Sequence, residues 1–188
     1  HKKHNFPPSN TMVLTVSQSG ETADTLEALK EAKRMNYKTF GVVNVVGSAI
    51  GNETDAGEFT RAGTEVGVAS TKAFTSQLTV LYLLALKLAR AQGMSQVHGK
   101  RLISTLEHIP EHIEETLQLN NDIQTIAKKF KKIQNISFLG RGIHVPIADE
   151  AALKFKELTY IEAGSYPLGE MKHGPLAVVD KNHLSVII

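Results

Sequence analysis

Hydrophobic and polar positions switch between two periods along this chain. Met12 to Val16 is a short apolar run that ends in the polar loop Ser17-Gln18-Ser19-Gly20-Glu21. From Thr22 to Met35, Ala28, Leu29, Ala32 and Met35 recur at the spacing of one helical face. The valine-rich stretch Lys38 to Val46 predicts a second, buried strand. Strand, loop, helix and strand with β-branched runs predict a parallel α/β unit. Its ligand site is expected at the carboxyl ends of the strands. Asn44 to Gly63 is broken by glycines and small polar residues, which predicts mostly connection with room for one short strand.

The pattern then turns strongly helical from Thr71 to Gln92. Its middle, Leu78 to Leu88, is apolar nearly all round, so the helix is expected to be buried between layers or subunits. Gly93 suits the left-handed position that ends a helix. Val97 to Lys132 predicts one or two polar amphipathic helices, with Pro110 as a break or first-turn residue. A strand over Ile136 to Leu139, a helix over Asp149 to Ala163 and a final strand over His183 to Ile188 complete the pattern. Each half thus holds about one strand–loop–helix unit, which points to a duplicated α/β domain whose two copies are both expected to be incomplete. The expected division is 1–93 and 94–188, the second part opening with linker helices.

Composition narrows the function classes. The 188 residues are 41% hydrophobic and 21% charged, the balance of a globular chain without a membrane span. A net charge of +2 from well-mixed signs makes no electrostatic case for nucleic acid. The most concentrated basic cluster, His1-Lys2-Lys3-His4, leads into Pro7-Pro8 and reads as a flexible end. No apolar signal segment follows it, so a cytoplasmic protein is expected. The absence of cysteine excludes disulfides, thiolate metal sites and a cysteine nucleophile.

Several segments carry candidate chemistry. Ser17-Gln18-Ser19-Gly20-Glu21-Thr22 combines three hydroxyls and a glycine with the free N–H groups of a helix start, a combination suited to phosphate. Ordinary N-capping would explain the same residues. The loop has neither the lysine of a Walker A loop nor the spacing of a dinucleotide fingerprint. Gly67-Val68-Ala69-Ser70-Thr71-Lys72 is a second small-residue loop, readable as a cap or as room for a ligand. Gly140-Arg141-Gly142 marks a tight strand exit. His108-Ile109-Pro110-Glu111-His112 matches a metalloprotease string, but Pro110 interrupts the helix it needs, and no metal is expected. Lys154 and Glu157 stand three residues apart on one helical face, with Glu150 a turn earlier. They read as an ion pair or as the charged border of a cleft. His173 sits in the loop Gly169-Glu170-Met171-Lys172-His173-Gly174-Pro175. Carboxylate, ammonium and imidazole are the groups that proton transfer beside a carbonyl requires.

Three strings resemble the isomerase half of the glutamine–fructose-6-phosphate aminotransferase family: Ser17 to Thr25, Gly67 to Thr75, and Gly169 to Leu176. The similarity runs from about Val13 to the last residue. It implies tandem sugar isomerase (SIS) domains, each a flavodoxin-like parallel sheet flanked by helices. It further implies fructose 6-phosphate as substrate, glucosamine 6-phosphate as product, and no cofactor. Ser17, Gln18, Ser19 and Thr22 match the family's phosphate loop, and Val68 and Ser70 match residues lining the sugar site. Glu157 matches the base that moves a proton between C1 and C2, with Lys154 the helix-borne lysine beside it. His173 matches the ring-opening histidine, which in relatives reaches a neighbouring subunit, so a homodimer is implied. A glutaminase domain elsewhere in a parent chain is implied too, since the cysteine it uses is absent here. The family's first strand, expected upstream of Met12, and its lysine-bearing tail are expected to lie outside this chain. Glu162-Ala163-Gly164 stands where many relatives read His-Ala-Glu. The alternative is a non-catalytic SIS module that binds a sugar phosphate as a regulatory or scaffold domain.

Overall fold

The computed structural model describes residues 10–188. The basic cluster at His1–His4 and the prolines after it lie outside the described residues. Two compact units divide the chain between Gly99 and Lys100.

In the first unit, strands β1 (Met12–Ser17), β2 (Lys38–Val43) and β3 (Ala56–Phe59) form a parallel sheet with β2 in the centre. Helix α1 (Ala23–Arg34) and the short α2 (Ala49–Glu53) cover one face, where Leu29, Val43 and Ile50 are almost fully buried together. Leu26 and Phe59 pack around them. The position 36–37 turn closes α1 through the Tyr37 N–H, which donates to Ala32 O at 3.0 Å. Alternation along β2 sends Phe40 to the opposite face, beside Leu83 and Leu84 of helix α3 (Lys72–Ala91). Helices on both faces of a parallel sheet agree with the parallel α/β unit predicted from the β-branched runs and with the flanked sheet that the resemblance implies.

Three expectations change here. The strand predicted to Val46 stops at Val43, where Asn44 leaves the ladder to bond the next loops. The connection from Asn44 to Gly63 holds the one short strand it left room for, β3, and in addition the unpredicted helix α2. Between the layers of this one chain the apolar helix α3 is not buried all round, which leaves the expected burial between subunits untouched. Ala73 and Leu86 are buried, but Leu78, Tyr82, Leu83 and Leu88 remain exposed. A three-stranded sheet covers only one side of a helix, whatever that helix carries on the other.

The second unit repeats the plan. Strands β4 (Asn135–Gly140), β5 (Glu162–Pro167) and β6 (His183–Ile187) form a parallel sheet in the order β5-β4-β6. Helix α7 (Val145–Thr159) lays Ala148 and Ala152 on Ile136, Phe138 and Ala163. The small alanines let helix and sheet approach closely, and Phe138 and Phe155 stack obliquely at 5.9 Å. Gly140 allows the sharp return into α7, because a Cβ there would strike the backbone of His144 and Val145.

Helix α7 begins four residues before the expected start, with Pro146 in its first turn, and ends before Tyr160 at φ 59°. Residues 162–163, predicted as helix, instead open β5. The polar stretch from Val97 to Lys132 forms three helices: α4 (Gln96–Glu107), α5 (Ile109–Leu117) and α6 (Asn120–Lys129). Pro110 falls in the first turn of α5, where its missing N–H costs nothing. No helix among the described residues is long and apolar enough to cross a membrane.

Candidate functional site

Parallel pairing brings the loops after β1, β2 and β3 to the same edge of the first sheet. The loop after β1 is held from within. Ser17, the last residue of β1, accepts the Gly20 N–H at 3.0 Å, and its hydroxyl meets that of Thr22 at 3.0 Å. The Ser19 hydroxyl accepts the Glu21 N–H at 3.1 Å. Thr22 occupies the N-cap of α1 yet makes no side-chain cap. The Ser17 and Thr22 hydroxyls are therefore ordered against each other and that of Ser19 against the Glu21 amide, while the helix start keeps unfilled N–H capacity for an anion.

The same loop is fastened to the one after β2. Gly20 O accepts the Ile50 N–H at 2.9 Å, the Glu21 carboxylate accepts the Ala49 N–H at 2.8 Å, and Gln18 O accepts the Asn44 N–H at 3.1 Å. Gly20 sits at φ 69° against Ser48, whose buried hydroxyl has no partner.

Beside this loop opens a cleft of about 510 Å³, bordered by Gln18, Asn44, Val45, Arg61, Thr64 and Glu65. Asn44 is only 8% exposed, and its amide organises the loop after β3. The carbonyl oxygen accepts Thr60 Oγ1 at 2.9 Å and the Ala62 N–H at 2.7 Å, while Nδ2 donates to Gly63 O at 2.7 Å. Glu65 caps α3, accepting the Thr71 N–H at 3.1 Å and the Ala73 N–H at 3.0 Å. The Ala73 N–H foremost, with Thr71 and the Lys72 charge assisting against desolvation, holds this carboxyl below its usual range. The capping role that the Gly67–Lys72 loop was readable for thus falls to Glu65, and Thr71 at the N-cap makes no side-chain cap. Val68 is 90% exposed and Ser70 half-buried, and neither borders this cleft.

In the second unit Lys154 donates to Glu157 at 2.7 Å and lies 3.5 Å from Glu150, all three partly buried on α7. The Glu157 hydrogen bond raises the Lys154 pKa; burial opposes it, and Glu150 adds to the rise. The ammonium stays charged and fixes the direction of the Glu157 carboxylate. His173 closes a 3₁₀ turn (Leu168–His173), where its Nδ1 meets Glu170 at 2.8 Å, both side chains well exposed. Among the described residues no cluster of three or more His, Cys, Asp or Glu side chains comes together as a metal site. His108 instead bonds Ser104 O at 2.7 Å, and His112 meets Glu115 at 3.4 Å.

The hydroxyl loop was legible as a motif. Asn44, Arg61 and Glu65 belong to no motif of that kind. Asn44 carried one available signal, as a polar residue closing a valine-rich strand at the ligand edge.

The model of the SIS domain matches residues 8–87 and 129–188, one segment in each unit. The chain belongs to the SIS domain family. It is 47% identical over 180 residues to the glutamine–fructose-6-phosphate aminotransferase (isomerizing) of Chlorobaculum tepidum, covering 96% of this chain and 29% of that protein. The namesake from Neisseria meningitidis serogroup B is 49% identical over 182 residues, covering 96% and 30%. The C-terminal domain of glucosamine-fructose-6-phosphate aminotransferase from Francisella tularensis superposes with a TM-score of 0.90 at 43% identity, over 94% of this chain and 50% of that one. The chain therefore spans about 30% of the length of the curated relatives it matches. The two parallel sheets are the two SIS segments of this family's α/β fold.

Proposed function

We propose that the chain is the sugar-phosphate isomerase part of a glucosamine-6-phosphate synthase. In this reading the parent protein converts fructose 6-phosphate and ammonia to glucosamine 6-phosphate. The observation that carries it is the interlocked hydroxyl loop at the carboxyl ends of parallel strands, in a chain nearly half identical to aminotransferases named for fructose 6-phosphate. Ser17, Gln18, Ser19 and Thr22 would hold the phosphate with neutral donors and the dipole of α1. Val68 and Ser70 would line the sugar.

Glu157 acts as the base that carries a proton between C1 and C2 of the sugar imine, and Lys154 holds it in line. A carboxylate suits this transfer because the proton beside an imine is acidified by the adjacent electron sink. His173 protonates the ring oxygen during opening, a task for an imidazole, whose ring nitrogens can donate and accept a proton, and it serves the neighbouring subunit of a homodimer. Ammonia comes from a glutaminase domain elsewhere in the parent chain, and the setting is cytoplasmic. The reaction needs no cofactor or metal in this scheme.

Deuterium exchange at C1 of fructose 6-phosphate by the intact protein tests the proposal. Exchange is expected, and Glu157→Gln should abolish it while sugar-phosphate affinity persists. Binding without exchange in the unaltered protein would refute the catalytic reading and leave a non-catalytic SIS module.

A further inference from the structure

Arg61 follows β3 in a left-handed backbone conformation, φ 51°. A long side chain is disfavoured there and persists only where its surroundings over-determine it. Asn44 supplies that determination. Its amide binds Thr60, Ala62 and Gly63, so the turn is clamped on both sides of Arg61. The Thr60 N–H also donates to Val43 O at 2.9 Å, tying the turn to the end of β2.

The guanidinium this turn presents has no hydrogen bond or ion pair among the described residues. It borders the same cleft as Gln18. The cleft's one bordering carboxylate, Glu65, is committed to the amides of α3 and faces the Lys72 charge. Glu65 thus spends its oxygens on backbone and hydroxyl donors, and Arg61 makes no ion pair with it. The hydroxyl loop itself offers only neutral donors, with no lysine or arginine between Ser17 and Thr22. A phosphate dianion gains most from a charge-assisted, forked donor.

We infer that Arg61 is a further binding residue of this site, supplying the cationic contact to the phosphate group whose neutral contacts come from the Ser17–Thr22 loop. The inference rests on the sugar-phosphate reading above. It adds a specificity element: the cleft prefers dianionic phosphorylated sugars over neutral ones, and that preference weakens with salt. The clamp by Asn44 fixes the backbone from which the Arg61 side chain leaves at the border of the cleft.

Calorimetric titration of the intact protein with fructose 6-phosphate, at low and high salt, provides the test. Arg61→Gly is the informative variant, because glycine accepts the left-handed backbone and removes only the side chain. Its melting temperature should equal or slightly exceed the parent's, since the left-handed strain is relieved, while its affinity should fall roughly tenfold or more and the salt dependence should flatten. Arg61→Lys and Arg61→Gln, which share one backbone cost, form a second pair. Lysine should retain much of the affinity that glutamine loses. Equal losses in that pair would overturn the inference even if Arg61→Gly proved unstable. Affinity unchanged in Arg61→Gly but weakened in Ser19→Ala would overturn the role of Arg61 and leave the sugar-phosphate reading standing. Affinity unchanged in both would remove the reading and the inference together.

Discussion

Gly20→Ala perturbs the point where the hydroxyl loop meets the loop after β2. At φ 69°, alanine suffers the left-handed penalty of about 1–2 kcal/mol. Its methyl would also lie 2.5 Å from Ser48 Cβ and closer still to the hydroxyl. Overpacking of that kind costs about 1–3 kcal/mol, partly offset by about 0.4–1 kcal/mol of lost unfolded-state entropy. The net expectation is a loss of about 1–5 kcal/mol. For a chain of this size that lowers the melting temperature by about 2–20 °C. Ser48→Gly separates the two terms. The Ser48 hydroxyl has no partner and makes no cap, so its removal alone should cost only a few tenths of a kcal/mol, roughly the serine-to-glycine value at a helix start. Combined with Gly20→Ala it should recover about 1–3 kcal/mol, the steric part, and leave the backbone part. Thermal unfolding of the four proteins, followed by circular dichroism, measures the cycle. A Gly20→Ala protein as stable as the parent, or strict additivity in the double variant, would refute the close approach of Gly20 and Ser48.

Other outcomes follow from the same structure. Ser19→Ala or Thr22→Ala should each weaken fructose 6-phosphate binding by ~1–2 kcal/mol per lost hydrogen bond, read by calorimetry. Tyr160→Gly should stabilise the second unit by about 0.5–1 kcal/mol, because Tyr160 ends α7 at φ 59° and is 92% exposed, so little packing is lost. Unfolding by urea checks this, and a destabilised variant would contradict it. Asp55 is held below its usual range, first by the Thr39 N–H at 2.9 Å and then by the Thr39 hydroxyl. Glu65 is depressed by its amide contacts in the same way. In both, the unfolded chain binds the proton more readily, so the stabilisation is present above the ordinary carboxyl pKa and is lost as pH falls through the folded values. Urea midpoints should therefore fall on acidification below about pH 4, and Asp55→Asn with Glu65→Gln should flatten that dependence.

The first βαβ unit was legible because its information is local. Val42 and Val43 are both buried, as a valine run in a sheet covered on two faces requires, and of the predicted helical face Leu29 and Ala32 are buried while Ala28 is exposed and Met35 half-buried. The hydroxyl loop was legible for the same reason, since its internal bonds join residues at most five apart. What escaped the sequence depends on partners far along the chain. Strand β5 contains glycine and proline and buries only Ala163 fully, so its extended state comes from pairing with β4, whose first residue lies 27 positions earlier. Asn44 gains its role from the loop sixteen to nineteen residues on, which arrives only when β3 joins β2. The α3 pattern declared an apolar helix, but how much of it is covered was set by a three-stranded sheet. Periodicity and short-range hydroxyl chemistry thus belong to the sequence alone. Which side chains meet at the ends of the strands was decided by the parallel pairing, because only that pairing puts three distant loops on one edge.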